Sequence, residues 1–346
     1  MISFKTAATL SAPAVALSFL VGFSGSSADK IAFTPAEGVS VTKTFLTTTS
    51  MEVDDMTMLM NGGPGPMQEM EMTMDMTQTV TVTDEYISMA DGQPKKLART
   101  FDVISSDLEM DINAAGQAQS PTGAGTSPLQ DSTVVFTWNA ENEEYDVAFA
   151  EGVTEDMDLR GLLPKGELAE GDSYEIDLAN FSNILAPGGN LSLEMEVDGE
   201  MSGAGMDPEM MTDFSKFFEE MLEGDASGKY VGTRDVDGVK VAVIEIEVEI
   251  NASADMSELA AESMGGEEVP EGVEMSIDRM DVELVYTGSG ELLWNMAKGV
   301  VHSFEIDAEM EMNTDMAMAV SMGGNEMEIT MEMMMSGSVK NSVTTE

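Results

Sequence analysis

Thioethers are the most abundant side chains here with ligand chemistry. The chain holds 34 methionines, no cysteine and one histidine, His302. Many methionines fall in Met-x-Met steps: Met56, Met58 and Met60; Met70, Met72, Met74 and Met76; Met310 and Met312; Met331, Met333 and Met335. Residues i and i+2 share one face of a strand, so two sulfurs of such a step can reach one soft ion such as Cu(I). That chemistry makes Met70, Met72, Met74 and Met76 the candidate ligands of a methionine-rich metal buffer. The same residues have a plainer use, because methionine is apolar, flexible and fills irregular space. Ile, Val, Phe and Ala take equivalent positions elsewhere, and the Met-rich strands lack histidine and cysteine. Core filling is therefore the favoured reading, and no cofactor is expected.

The acids carry no specific signature. Asp and Glu number 65 against 15 Lys and Arg, a net charge of −50, so close carboxylate pairs arise everywhere by chance. Such a charge excludes nucleic acid and anionic lipid surfaces as partners, and it can hold calcium or magnesium loosely. Asp235-Val236-Asp237-Gly238 resembles half a calcium loop, but Ile246 stands where that loop needs its bidentate Glu. A hairpin turn is expected there. No Gly-x-Ser-x-Gly elbow, His-Glu-x-x-His helix or phosphate-cradling loop occurs, so an enzyme is not expected.

The elements that carry these residues follow from periodicity. In Phe304–Met322 the even positions are almost all apolar and the odd positions start as an unbroken run of acids and Asn313. Alternation of this kind marks a half-buried strand. Val39–Met60, Met70–Met89, Leu97–Ile112, Val239–Ile250 and Met327–Met335 read the same way. The phase slips at Asp54-Asp55 and again between Ile277 and Met280, and each slip predicts a β-bulge. Turns are expected at Asn61–Pro66, Asp91-Gly92, Val236–Gly238, Thr287–Gly290 and Gly323–Asn325. Asn113–Leu129 lacks a period and reads as a mobile loop, and Val339–Glu346 as a polar end. Asp177–Leu185 reads as a short helix stopped by Pro187-Gly188-Gly189. In Asp207–Glu223, Asp207 can cap, Pro208 fits the first turn and Gly224 fits past the end. Its Met210, Phe214, Phe217, Phe218 and Met221 recur at helical spacing.

The fold class read from this pattern is mainly β. A long antiparallel meander forms two sheet-based lobes, half-barrel or sandwich-like, with one amphipathic α-helix. Residues 1–28 read as a signal peptide: Lys5, the apolar run Ala7–Phe23 and a small-residue cleavage site at Ser26-Ser27-Ala28. The lobes are then 29–175 and 176–346, the second containing helix 207–223. A Sec signal without a lipobox cysteine predicts a secreted or periplasmic protein that does not span a membrane after cleavage.

Four stretches carry a resemblance: TTTSMEVDDM from Thr47, MEMTMDMTQTVTVTDEY from Met70, LLPKGELAEGDSYEI from Leu162 and GKYVGTRDVDGVKVAVIEIEVEI from Gly228. With these the chain resembles a family of uncharacterised exported bacterial β-rich proteins with a Thr/Met-rich hairpin. Tyr174 stands where such relatives often carry tryptophan. The resemblance implies export and β-architecture, and no activity. The expected function is an exported, non-enzymatic cell-envelope protein. It binds an apolar ligand, a lipid or an envelope partner in a sheet cavity covered by the 207–223 helix. Phe214, Phe217, Phe218, Met221, Met310 and Met312 would line that cavity. The alternatives are the soft-metal buffer and a structural acidic surface protein.

Overall fold

The computed structural model describes residues 29–65, 70–114, 117–147, 152–198, 223–257, 260–261, 273–322 and 325–346. The expected leader and residues 207–222 of the expected helix, with Phe214, Phe217, Phe218 and Met221, lie outside the described residues, while Glu223, expected to end the helix, opens a strand. What is described is mainly antiparallel β. The strands are β1 (Asp29–Lys30), β2 (Ser40–Met60), β3 (Gly63–Pro64), β4 (Met70–Ala90), β5 (Gln93–Ala114), β6 (Gln117–Gln119), β7 (Thr122–Thr126), β8 (Thr133–Asn139) and β9 (Glu144–Val147). They continue as β10 (Glu167–Leu168), β11 (Ser173–Ile176), β12 (Glu194–Asp198), β13 (Glu223–Val236), β14 (Val239–Asp255), β15 (Val273–Asn295), β16 (Val300–Met322) and β17 (Asn325–Thr345). A 3-10 turn at Leu178–Phe181 runs into the short helix α1 (Ser182–Leu185), within the span expected to be helical.

One sheet of 15 strands takes in all but β1 and β10, with the path β11-β13-β14-β15-β16-β17-β2-β4-β5-β7-β12. Strands from both sides of residue 175 feed it. The sheet is open, with β11 and β12 at its two edges, and it curls. Phe33 stacks edge-on against Tyr86 of β4 at 5.6 Å and also packs on Trp294 of β15 at 6.5 Å. On a flat sheet those strands stand four apart, about 19 Å at ~4.8 Å per strand. One phenyl ring reaches both because the sheet wraps around it.

The concave, inner face carries the apolar phase of every long strand. The acids lie outside, paired with the few cations across strands: Lys229–Glu245, Arg234–Glu291, Arg279–Asp315 and Lys340–Glu305. Exposed pairs of this kind contribute little individually. One half of the inner face is filled by residues 152–193 together with the segment Ile31–Phe33. Met157, Leu159, Leu162, Phe181, Ile184 and Leu191 of this insert form one core with Phe45, Val80, Phe101, Ile244, Trp294 and Phe304 of the sheet.

Both expected bulges are present. Asp54 is the extra residue between Val53, opposite Met335, and Asp55, opposite Met334. Asp278 is the extra residue between Ile277, opposite Met318, and Arg279, opposite Ala317. A third, at Asp102, switches β5 from Leu97, Arg99 and Phe101 facing in to Ile104, Ser106, Leu108 and Met110. The turns at Asn61-Gly62, Asp91-Gly92 and Asp237-Gly238 have positive φ at both central residues, the geometry of a tight twisted hairpin.

Three expectations fail. Asn113–Leu129 is not a loop throughout: β6 and β7 lie in it, and β7 pairs with β5 and β12. Its TGAGT run lacks bulk because a Cβ on Gly125 would meet Ser106 Cβ at 2.9 Å and Met195 Sδ at 2.6 Å. Thr287–Gly290 is not a turn but the middle of β15. A Cβ on Gly290 would sit 2.3 Å from the Glu305 carbonyl oxygen, so this glycine permits close strand approach rather than chain reversal. Val339–Glu346 is not a free polar end: Val339, Asn341 and Val343 are buried in β17.

Candidate ligand-binding face

The inner face has three zones along the strands. In the insert-filled zone a charge network joins sheet to insert. Lys43 of β2, Asp84 of β4 and Arg99 of β5 lie side by side and are fully buried. Lys43 Nζ donates to Asp84 Oδ2 at 2.6 Å and to Asp158 Oδ1 of the insert at 2.6 Å. Arg99 forks onto Asp84, with Nε to Oδ1 at 2.7 Å and Nη2 to Oδ2 at 2.8 Å. Nη1 also donates to the carbonyl of Thr154 and Nη2 to that of Glu155. The Tyr86 hydroxyl donates to Asp158. Two cations thus meet two carboxylates and the cluster is neutral. Burial alone would raise the Asp84 pKa; Arg99 and Lys43 outweigh it and hold the group down at about 2. Burial and the two carboxylates push the Tyr86 hydroxyl well up, so it stays a donor. With every cation engaged and nothing open to solvent, this cluster latches the insert to the sheet.

The second zone is a polar row one residue deep. Asn341 of β17, Thr47 of β2, Gln78 of β4 and Ser106 of β5 are direct neighbours across four strands. Asn341, Thr47 and Ser106 are buried and Gln78 is half-buried. Thr47 Oγ1 donates to Asn341 Oδ1 at 2.8 Å. The Asn341 amide nitrogen lies against the Tyr286 hydroxyl, so the two buried groups face each other. Burial pushes that phenol up to about 12, with Asn341 opposing the rise.

The third zone is thioether. Met280, Met316, Met331 and Met58 face one another across β15, β16, β17 and β2. Met51, Met74 and Met110 form a second ladder across β2, β4 and β5. Met51, Met72, Met110 and Met335 are buried together with Leu108, and Met70, Met74, Met76, Met310 and Met312 pack on them half-buried. Met310 also touches the insert-side core, so it joins the zones.

The candidate residues Met310, Met312, Met70, Met72, Met74 and Met76 are therefore gathered on one face. His302 is the extra residue of a bulge, between Ser303 opposite Leu293 and Val301 opposite Trp294, and is half-buried. Asp235–Gly238 is a hairpin turn. Among the described residues no group of three or more His, Asp or Glu side chains is arranged to hold a metal, and no helix is long and apolar enough to cross a membrane. The latch and the polar row were missed in the sequence. Their signal was available: Lys43, Asp84 and Thr47 are polar residues in the apolar phase of strands that otherwise alternate, and so is Gln78.

No protein-family model and no curated protein matches the chain. Among solved structures it is similar to the outer membrane protein OprG from Pseudomonas aeruginosa, at 8% identity over 88% of this chain and 97% of that one, with a TM-score of 0.21. The outer membrane protease OmpT from Escherichia coli follows at 8% identity over 90% of this chain and 99% of that one, TM-score 0.16. A DUF1329 family protein from Desulfovibrio piger shares 7% identity over 84% of this chain and 83% of that one, TM-score 0.11. Likeness at this level establishes neither family nor function.

Proposed function

We propose that this chain is an exported, non-enzymatic binding protein of the cell envelope whose methionine zone takes an apolar chain. The observation that carries the reading is a single inner face with two fates. Its first half is filled by residues 152–193, and its second half presents half-buried thioether ladders continuous with that core. A broad apolar surface rimmed by acids is a binding surface by default, and flexible thioethers adapt to acyl chains of varied shape. The buried, neutral latch supports a scaffold rather than a catalyst, since it offers no accessible acid or base.

Native mass spectrometry of protein taken from its source cells, with uptake of the neutral fluorophore N-phenyl-1-naphthylamine, tests this. Copurified lipid or saturable uptake is expected. Delipidated-looking protein with no uptake would remove the reading. The ladder Met280–Met316–Met331–Met58 favours one second reading, a Cu(I) buffer, because its residues are directly paired across four adjacent strands. Cu(I) titration against a competing chelator decides it: affinity unaffected by replacing Met58 and Met331 with leucine excludes these sulfurs.

A further inference from the structure

Independently of the binding reading, we propose that Lys43 and Asp158 join in an intramolecular isopeptide bond, a covalent tie between β2 and the insert. The starting geometry is the buried ion pair. Lys43 Nζ lies 2.6 Å from Asp158 Oδ1 and 2.6 Å from Asp84 Oδ2, and the Asp158 side chain is 2% exposed. As an ion pair the site is incompletely satisfied. Asp158 Oδ1 accepts from Lys43 and from the Tyr86 hydroxyl, while Oδ2 is buried with no hydrogen-bond partner. Arg160 acts on Asp158 only through space, its Nε being bonded to Asp156. A bare carboxylate oxygen in a dry site is costly. Amide formation removes that oxygen. In the product Oδ1 keeps the Tyr86 hydroxyl, the one remaining N–H keeps Asp84 Oδ2, and Asp84 keeps the Arg99 fork. Each of these groups then has a partner, and Arg99 balances Asp84.

The neighbours supply what the step needs. Nζ bonds to Asp158 Cγ, the Cγ–Oδ2 bond breaks, and Oδ2 leaves as water with two protons given up by the ammonium. Positive and negative charge cancel in the amide, and no oxidant, reductant or cofactor is consumed. Asp158 is the electrophile because Arg99 and Lys43 hold the Asp84 carboxyl charged, down at about 2. Asp84 instead orients Nζ through its hydrogen bond. The Tyr86 hydroxyl stays protonated and donates to Oδ1, the oxygen that gains negative charge as Nζ adds to Cγ. Burial excludes the bulk water that favours separate acid and amine. Holding the two groups in contact is worth effective concentrations of roughly 10⁵–10⁸ M. The bond would also do what this chain cannot do with sulfur. There is no cysteine, and a tie across 115 residues of sequence restrains the unfolded chain as a disulfide does.

Mass spectrometry of the purified full chain, denatured and then mapped with trypsin, tests this. Wild-type protein is expected one water lighter than its sequence counted from its observed N-terminus. Trypsin should fail to cut after Lys43, and one branched peptide should join the stretches holding Lys43 and Asp158. Lys43→Arg keeps the cation but not the amine, and Asp158→Ala removes the carboxyl; each should restore the full mass. Tyr86→Phe should slow closure roughly tenfold or more in freshly refolded protein, the loss of one donor to the developing oxyanion. The wild-type map carries the test whether or not the variants fold. Wild-type protein at its full sequence mass with ordinary cleavage after Lys43 would overturn the proposal. So would a water loss that persists in Lys43→Arg.

Discussion

Lys43 has no water to turn to. Its ammonium is enclosed by Asp84, Asp158 and the Tyr86 ring, and it neutralises carboxylates from two parts of the chain 115 residues apart in the Asp158 case. Removing one member of a buried ion cluster leaves the others uncompensated, which typically costs about 3–5 kcal/mol. Lys43→Met is expected to lose that much in urea unfolding, and Lys43→Met with Asp158→Leu to recover part of it, since Arg99 still covers Asp84. The pH dependence follows in sign. Asp84 is held at about 2 against an ordinary 3.8, so its contribution is complete above roughly pH 4 and is lost as pH falls through 2. Wild-type protein should keep its insert docked to near pH 2, and the Lys43→Met midpoint should lie higher. An acid midpoint identical in the two would show that the latch is not what fails. At this scale the sequence was only half legible. A lysine at position 43 inside an apolar phase announces an exception, but its partner Asp158 sits in a segment with no period at all.

Elements were far more legible, because a strand with one wet face writes its own register. Two bulges were readable as phase slips, and in each an aspartate is the extra residue: Asp54 and Asp278. Asp102 makes a third in β5. The reason is geometric. A bulge sets two successive side chains toward the same side, so the added residue of these strands must face water. Asp54 and Asp55 are both exposed, as are Asp278 and Arg279. Deleting Asp54 therefore removes the bulge without moving Met56, Met58 and Met60 off the inner face, and should be tolerated. Deleting Thr57 instead turns Met58 and Met60 outward and costs the register. Thermal unfolding of the two single-residue deletions checks this, with the Thr57 deletion far the less stable. Equal losses would contradict the assigned bulge. Glycine was the misleading signal. Gly288 and Gly290 read as a turn, yet β15 passes straight through them because β16 approaches too closely for a Cβ: 2.9 Å to the Ala308 Cβ and 2.3 Å to the Glu305 carbonyl oxygen. A close approach between strands is a tertiary fact with no local pattern.

Across the whole molecule one curled sheet is divided by what covers its inner side. Residues 152–193 close the first half, the polar row marks the boundary, and the thioether ladders form the second. Mainly antiparallel β with a short helix was readable from alternation alone. The insert was not, since LRGLLPKGELAEGDSY has neither strand nor helix period and owes its conformation to the sheet it fills. Gln78 interrupts the apolar phase of β4, and it belongs to the polar row. On the proposed function, an apolar chain lies along the thioether zone. Carbon-13 methyl spectra of the methionines during titration with monopalmitoylglycerol address it directly. The methyls of Met72, Met74, Met310 and Met312 should shift together and saturate, while Met157, sealed between the insert and the sheet at 0% exposure, stays still. Ladder methyls that do not move at saturating amphiphile, or movement confined to Met157, would contradict it.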